Sequence, residues 1–189
     1  LIDAASDPAD MRRRLGAAAL ALDASSDPGV QERWRTTVAA RLPQQSWPDR
    51  HVRLTAVDAR TGDPVVLDRR SGVDLADAVA ASCASGFAYR IGDVPYVDGG
   101  YRRNENADLA TGRGRVLVLS PFGGRTRTPL AWGQQLATQV DELRAAGSHV
   151  EVVAPAPDVE HLFGASAMDV TQRPAAARAG HAQGVALAA

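Results

Sequence analysis

The stretch from Val116 to Val153 most limits what this chain can fold into. Val116–Leu119 is a continuous apolar run, the pattern of a strand covered on both faces. Pro129–Ala146 reads as a long helix ended by Gly147, and Val150–Val153 as a second buried strand. A strand, a crossover helix and a strand in that order predict a parallel pair, because parallel strands need a long connection. His161–Phe163 and Pro174–Leu187 read as helical. The fold class expected from this ending is α/β.

The upstream half is built differently. Ser6-Asp7-Pro8 and Ser26-Asp27-Pro28 each set a capping Asp before a Pro at the first helical position. The second start is followed by Val30, Trp34, Val38 and Leu42, an apolar stripe near helical spacing that reads as core packing. Pro43–Pro48 breaks that helix. His51–Asp58 alternates with Val52, Leu54 and Ala56 inward, Thr61-Gly62-Asp63 turns, and Pro64–Leu67 returns as a second strand. Asp74–Ala84 is a helix made almost wholly of small residues, which lets it approach its neighbours closely. Val94–Asp98 is a short strand running into Gly99-Gly100.

Charge and length bound the function classes. The 189 residues fit one domain on a prior of roughly 100–200 residues per domain. All 21 basic residues are Arg, and with 22 acidic residues the net charge is −1, which argues against a nucleic-acid binder. Arg12-Arg13-Arg14 before the apolar Leu15–Leu22 mimics a signal peptide. Asp3, Asp7 and Asp10 precede it and no small-residue cleavage site follows, so an ordinary helix is expected. No apolar run reaches the ~18 residues of a membrane span. Cytoplasmic placement with at most peripheral membrane contact is the expectation, with no strongly basic face to recruit anionic lipid.

Chemistry-bearing residues are sparse. His51, His149, His161 and His181 are scattered without metal-ligand spacing, so no metal and no cofactor is expected. Cys83, the single cysteine, reads as a buried inert thiol. Phe122-Gly123-Gly124-Arg125 lies between a strand and a helix, and with Arg127 it could hold an anion on backbone amides. That loop supports an alternative function as a non-catalytic anion-binding module, and a scaffold module is a further alternative that rests on Ser85–Gly92 alone. Gly164-Ala165-Ser166-Ala167-Met168 misses the Gly-x-Ser-x-Gly nucleophile elbow by its last residue and lacks a convincing strand before it, so Ser166 reads as a decoy. The best candidate is Asp98, at a strand end and followed by Gly99 and Gly100.

The context of Asp98 carries a family resemblance. Asp74–Ala84, then Tyr96-Val97-Asp98-Gly99-Gly100, then Asn104-Glu105-Asn106-Ala107-Asp108-Leu109-Ala110, then Arg115–Leu119, follow in an order that closely resembles bacterial patatin-like phospholipases. The hairpin Arg53–Leu67 resembles the family's segment before the small-residue helix. The resemblance is clearest over residues 42–189 and implies a three-layer α/β/α acyl hydrolase fold acting on lipid or other acyl esters. It implies a Ser–Asp dyad in which Asp98 of the Asp-Gly-Gly motif is the base, and no cofactor. Gly-x-Ser-x-Gly occurs nowhere in the chain, and no glycine-rich oxyanion motif precedes Leu42. With Leu1 at the start, residues 1–189 read as the C-terminal part of one patatin-like domain, incomplete at its N-terminus. Ser85–Gly92 looks shortened against the family pattern and borders the expected site of Asp98.

Overall fold

A computed structural model describes residues 1–164, 167 and 169–188. The chain divides into two compact units, Leu1–Asn106 with Arg127–Trp132, and Ala107–Thr126 with Gly133–Ala189.

The first unit opens with two helices, α1 (Pro8–Leu20) and α2 (Pro28–Ala39). Both begin where the Asp-Pro pairs predict. The Asp7 side chain accepts from the Asp10 amide, and Asp27 accepts from Gly29 and Val30, so free helix-end donors are satisfied locally. Strands β1 (Leu54–Asp58) and β2 (Pro64–Leu67) form the expected antiparallel hairpin, with Leu54 opposite Leu67. Arg12 of α1 donates from Nε to the Gly62 carbonyl at 2.7 Å and so holds the hairpin turn. Helix α3 (Leu75–Ser82) carries the small-residue run.

Strand β3 (Tyr89–Ile91), which the sequence reading missed, pairs antiparallel with β4 (Val94–Asp98). The stretch that looked shortened, Ser85–Gly92, supplies this strand. Gly92, at φ 58°, takes the first position of a two-residue loop that fits a tight hairpin. The Ser25 hydroxyl accepts from the Ala88 amide, and the Gln31 side chain bonds Ala88 and Arg90, so the segment is pinned.

The sheet order is β2-β1-β4-β3, antiparallel throughout. Alternation predicted one inward face for β1, but both faces are covered. Ala56 packs with Ala78, Ala80 and Ala81 of α3 and Val38 of α2, whereas Val57 packs with Val97 and with Ala19 of α1. Adjacent strand residues point to opposite faces, so helices lie on each side of the sheet. Arg35 of α2 and the Tyr89 hydroxyl both donate to Asp77 of α3, at 2.9 and 2.6 Å. Burial, then this bond to Asp77, push the Tyr89 phenol well above its ordinary pKa.

In the second unit, β5 (Arg115–Leu119), α4 (Leu136–Ala145) and β6 (His149–Val153) form the predicted parallel unit, paired from Arg115–His149 to Leu119–Val153. Three expectations change. Val150–Val153 is not buried throughout, since Val150 is buried but Val152 is exposed. The long helix from Pro129 is shorter. Leu130–Trp132, which belongs to the first unit, is one 3-10 turn, and Gly133, at φ 62°, interrupts the run before α4. β5 is covered on one face only. Val118 packs with Val140 and Leu143 of α4, while Leu117 and Leu119 stay 63% and 67% exposed. His161–Phe163 falls in a short 3-10 turn, Glu160–Phe163, and α5 (Arg173–Ala188) fills the last predicted helix.

Helix and strand together give a mixed α/β protein. Among the described residues no helix is long and apolar enough to cross a membrane. One helix contact is testable. Gly→Ala inside a helix ordinarily stabilises by up to ~1 kcal/mol. At Gly16 of α1 an added Cβ would lie 2.2 Å from the Ala59 carbonyl oxygen, and backbone cannot move aside cheaply. Gly16→Ala is therefore expected to destabilise by about 1–3 kcal/mol in urea denaturation. The same exchange at Gly184 of α5, with nothing within 4 Å, is expected to stabilise.

Candidate active site

Asp98 ends β4 opposite Ala56 of β1. Along β4, Val97 packs on the α1 side of the sheet and Tyr96 on the α2–α3 side. Alternation therefore turns Asp98 toward α3. Its amide donates to the Ala84 carbonyl at 3.0 Å, which ties the end of β4 to the residues just after α3.

The carboxylate is held by one bond. Asp98 Oδ1 accepts from the Gly100 amide at 2.7 Å, across the 3-10 turn Gly99–Tyr101. Oδ2 has no hydrogen-bond partner among the described residues and is not sealed from solvent. Burial pushes the Asp98 carboxyl above the usual carboxylate range, and the Gly100 bond pulls it partly back. A half-buried carboxylate with one open oxygen is a group poised to take a proton.

The two glycines have separate reasons. Neither adopts a positive φ, so the motif does not need glycine for its backbone conformation. Gly99 is needed for space. A Cβ there would lie 2.1 Å from the Thr55 carbonyl oxygen and 2.2 Å from its Oγ1. Gly100 carries the donor for Asp98, and its Cβ would come within 3.1 Å of Oδ1.

Asn106 locks the loop that follows, a role the sequence did not signal beyond the presence of Asn near the motif. Its Nδ2 donates to the Arg103 carbonyl at 2.6 Å, to the Gly99 carbonyl at 3.2 Å and to Thr55 Oγ1 at 3.2 Å. Its Oδ1 accepts from Arg102 at 2.9 Å. Asn106 sits at φ 51°, a conformation that Asn tolerates better than most side chains.

Cys83 corrects the expectation of a buried thiol. It caps the C-terminus of α3 and is exposed, because the helix ends at Ser82 and the chain turns away. Partial burial and then the Asp98 charge push the thiol's pKa up, which keeps it protonated and a poor nucleophile.

The other candidates stand elsewhere. In the glycine loop, the Gly124 amide donates to Ser120 Oγ at 2.9 Å and the Arg125 guanidinium pairs with Glu160, so these groups are already engaged. The expected helix start does not follow directly, since α4 begins only at Leu136. His149 is exposed and pairs with Glu151 at 3.0 Å. Ala165, Ser166 and Met168 of the near-miss elbow lie outside the described residues. Among the described residues no group of three or more His, Cys, Asp or Glu side chains could hold a metal ion.

Two measurements check this geometry. Gly99→Ala drives a methyl into the Thr55 backbone and is expected to cost about 1–3 kcal/mol of stability. Asp98→Asn removes a charge that burial disfavours. The folded pKa is raised, so the native state holds its proton longer than the unfolded chain, and ionisation costs stability as pH rises through the window between the two values. Asp98→Asn is expected to melt higher than the parent at pH 7–8, with the gain vanishing at pH 3.

The model of the patatin-like phospholipase family matches residues 4–111, which takes in α1, the antiparallel sheet, Asp98-Gly99-Gly100 and Asn106 and stops short of β5. Comparison with curated proteins returns no match. The matched span is more than half of the chain, so the chain belongs to the patatin-like phospholipase family and, by resemblance, among the lipid acyl hydrolases.

Proposed function

We propose that this chain carries the general-base half of a serine-type lipid acyl hydrolase, with Asp98 as the base. The observation behind the reading is the state of that carboxylate. It is partly desolvated, fixed through Oδ1 by the Gly100 amide, and open at Oδ2. A serine hydroxyl is a weak nucleophile until a positioned base takes its proton. In the proposed reaction Asp98 Oδ2 accepts the serine proton as the oxygen attacks the ester carbonyl. The protonated Asp98 then gives that proton to the departing alcohol, leaving an acyl-enzyme. Water attacks the acyl group as Asp98 takes its proton, and the protonated Asp98 returns that proton to the serine oxygen as the acyl–serine bond breaks and the carboxylic acid leaves.

The raised pKa suits this work. A carboxylate with a higher pKa is a stronger base, and burial provides it without a neighbouring histidine. The supports around Asp98 are consistent with a positioning role. Gly99 lets the turn lie against Thr55, and Asn106 fixes the carbonyls of Gly99 and Arg103.

The family's Gly-x-Ser-x-Gly elbow does not occur in this sequence, so the chain's share of the proposed site is Asp98 with its glycines. The 189-residue chain alone is expected not to hydrolyse p-nitrophenyl acyl esters. The test extends the chain upstream in its reading frame. A form that gains a Gly-x-Ser-x-Gly is expected to turn over these esters, and Asp98→Ala to lower kcat by about 10²–10⁴-fold. The acidic limb of its pH–rate profile is expected above the ordinary Asp value of about 3.9, because only ionised Asp98 accepts the proton. Turnover that survives Asp98→Ala removes Asp98 as the base, and an upstream frame without the elbow removes the hydrolase reading.

A further inference from the structure

A concave site away from Asp98 lies at the open end of the β1–β2 hairpin, a cleft of about 440 Å³. The register explains it. Leu54 pairs with Leu67, so the residues just before β1 and just after β2 leave the hairpin side by side. Arg50 and Arg53 come from the first segment, and Arg69 and Arg70 from the second. Four arginines from two segments thus line one cleft.

The walls are ordered. Trp47 packs against the core on the α2–α3 side of the sheet and donates from Nε1 to the Val73 carbonyl at 2.8 Å, which ties the two segments together. The turn after β2 is closed by the Asp68 amide donating to Ser71 Oγ at 2.8 Å and by the Arg70 amide donating to Asp68 Oδ1 at 2.8 Å. The two segments of the cleft are therefore held in place.

Its charge is unbalanced. Two carboxylates, Asp49 and Asp68, face four arginines, so the lining holds two positive charges in excess within a chain of net charge −1. Asp49 lies 3.7 Å from Arg69, and one oxygen of Asp68 is used in its own turn. The Arg50 and Arg70 guanidinium groups make no ion pair with a described residue. Sequence-wide balance hid this local excess.

We infer that this cleft binds a phosphate group carried by a small ligand, with Arg50 and Arg70 as its principal contacts. Planar guanidinium forks match phosphate oxygens in pairs, and a cleft of a few hundred Å³ suits a small organophosphate or a lipid headgroup better than a macromolecule. The inference goes beyond the acyl-hydrolase reading and stands without it, because the cleft lining includes neither Asp98 nor its hydrogen-bond partners Gly100 and Ala84.

The test is binding to the 189-residue chain at fixed ionic strength, made up with chloride. Inorganic phosphate and glycerol phosphate form the soluble arm, read by thermal shift and calorimetry. Phosphatidylcholine vesicles with and without 20 mol% phosphatidic acid form the lipid arm, read by co-sedimentation. Saturable binding in either arm is expected, weakened at least tenfold by Arg50→Ala with Arg70→Ala. Both side chains are exposed, so the melting temperature without ligand should stay within a few degrees. Soluble binding identifies a free phosphate ester as the source, and binding only to phosphatidic acid vesicles identifies a headgroup. The control is Arg33→Ala with Arg41→Ala on α2 and just beyond it, which removes equal charge outside the cleft. The proposal is overturned by no binding in either arm, by binding unchanged in the cleft variant, or by an equal loss in the control variant.

Discussion

Strand β1 is buried on both faces, and the first unit is organised around that burial. Ala56 and Val57 are neighbours in sequence, both wholly buried, and on opposite faces of the sheet. Burying adjacent strand residues requires a helix on each side, and both helices must come close. The small residues make this possible. Ala78, Ala80 and Ala81 present little more than backbone to one face of the sheet, and Gly16 of α1 lies directly against the Ala59 carbonyl on the other. Large side chains at these places would hold the helices off the sheet and open voids that cost stability.

The same closeness sets the candidate site. Gly99 follows Asp98 out of β4 and passes so near Thr55 of β1 that no side chain fits. Asn106 bonds both partners of that contact, the Gly99 carbonyl and Thr55 Oγ1. The position of the Asp98 carboxylate is thus determined by packing against β1 and by one amide from Gly100, rather than by charged neighbours. Burial raises its pKa for the same reason. A group held this way lowers the stability of the fold when ionised, a cost that functional sites commonly carry.

Local features were legible in the sequence. Asp7-Pro8 and Asp27-Pro28 start helices because the cap and the proline act on their own turn. The β1–β2 hairpin and the β5–α4–β6 unit were legible for the same reason, through turn residues and apolar runs. Asp98 stood out because Asp-Gly-Gly follows a short strand in a recognisable order of elements. Three-residue β3 was not legible, since its identity comes from pairing with β4 and from anchoring by Ser25 and Gln31, more than fifty residues earlier. The face of β5 bearing Leu117 and Leu119 reads as buried from hydrophobicity alone, although α4 covers only the other face.

By itself the sequence determined the starts of α1 and α2, the β1–β2 hairpin and the β5–α4–β6 order, and it singled out Asp98 as the candidate base. These depend on neighbours within a few positions, where side-chain chemistry and chain geometry act directly. Tertiary structure alone decided the rest. It gave Gly99 a steric reason rather than a conformational one, exposed Cys83 at a helix end, and left one oxygen of Asp98 open. It also gathered Arg50, Arg53, Arg69 and Arg70 into one cleft, because the register of two paired strands, not distance along the chain, determines which charges meet.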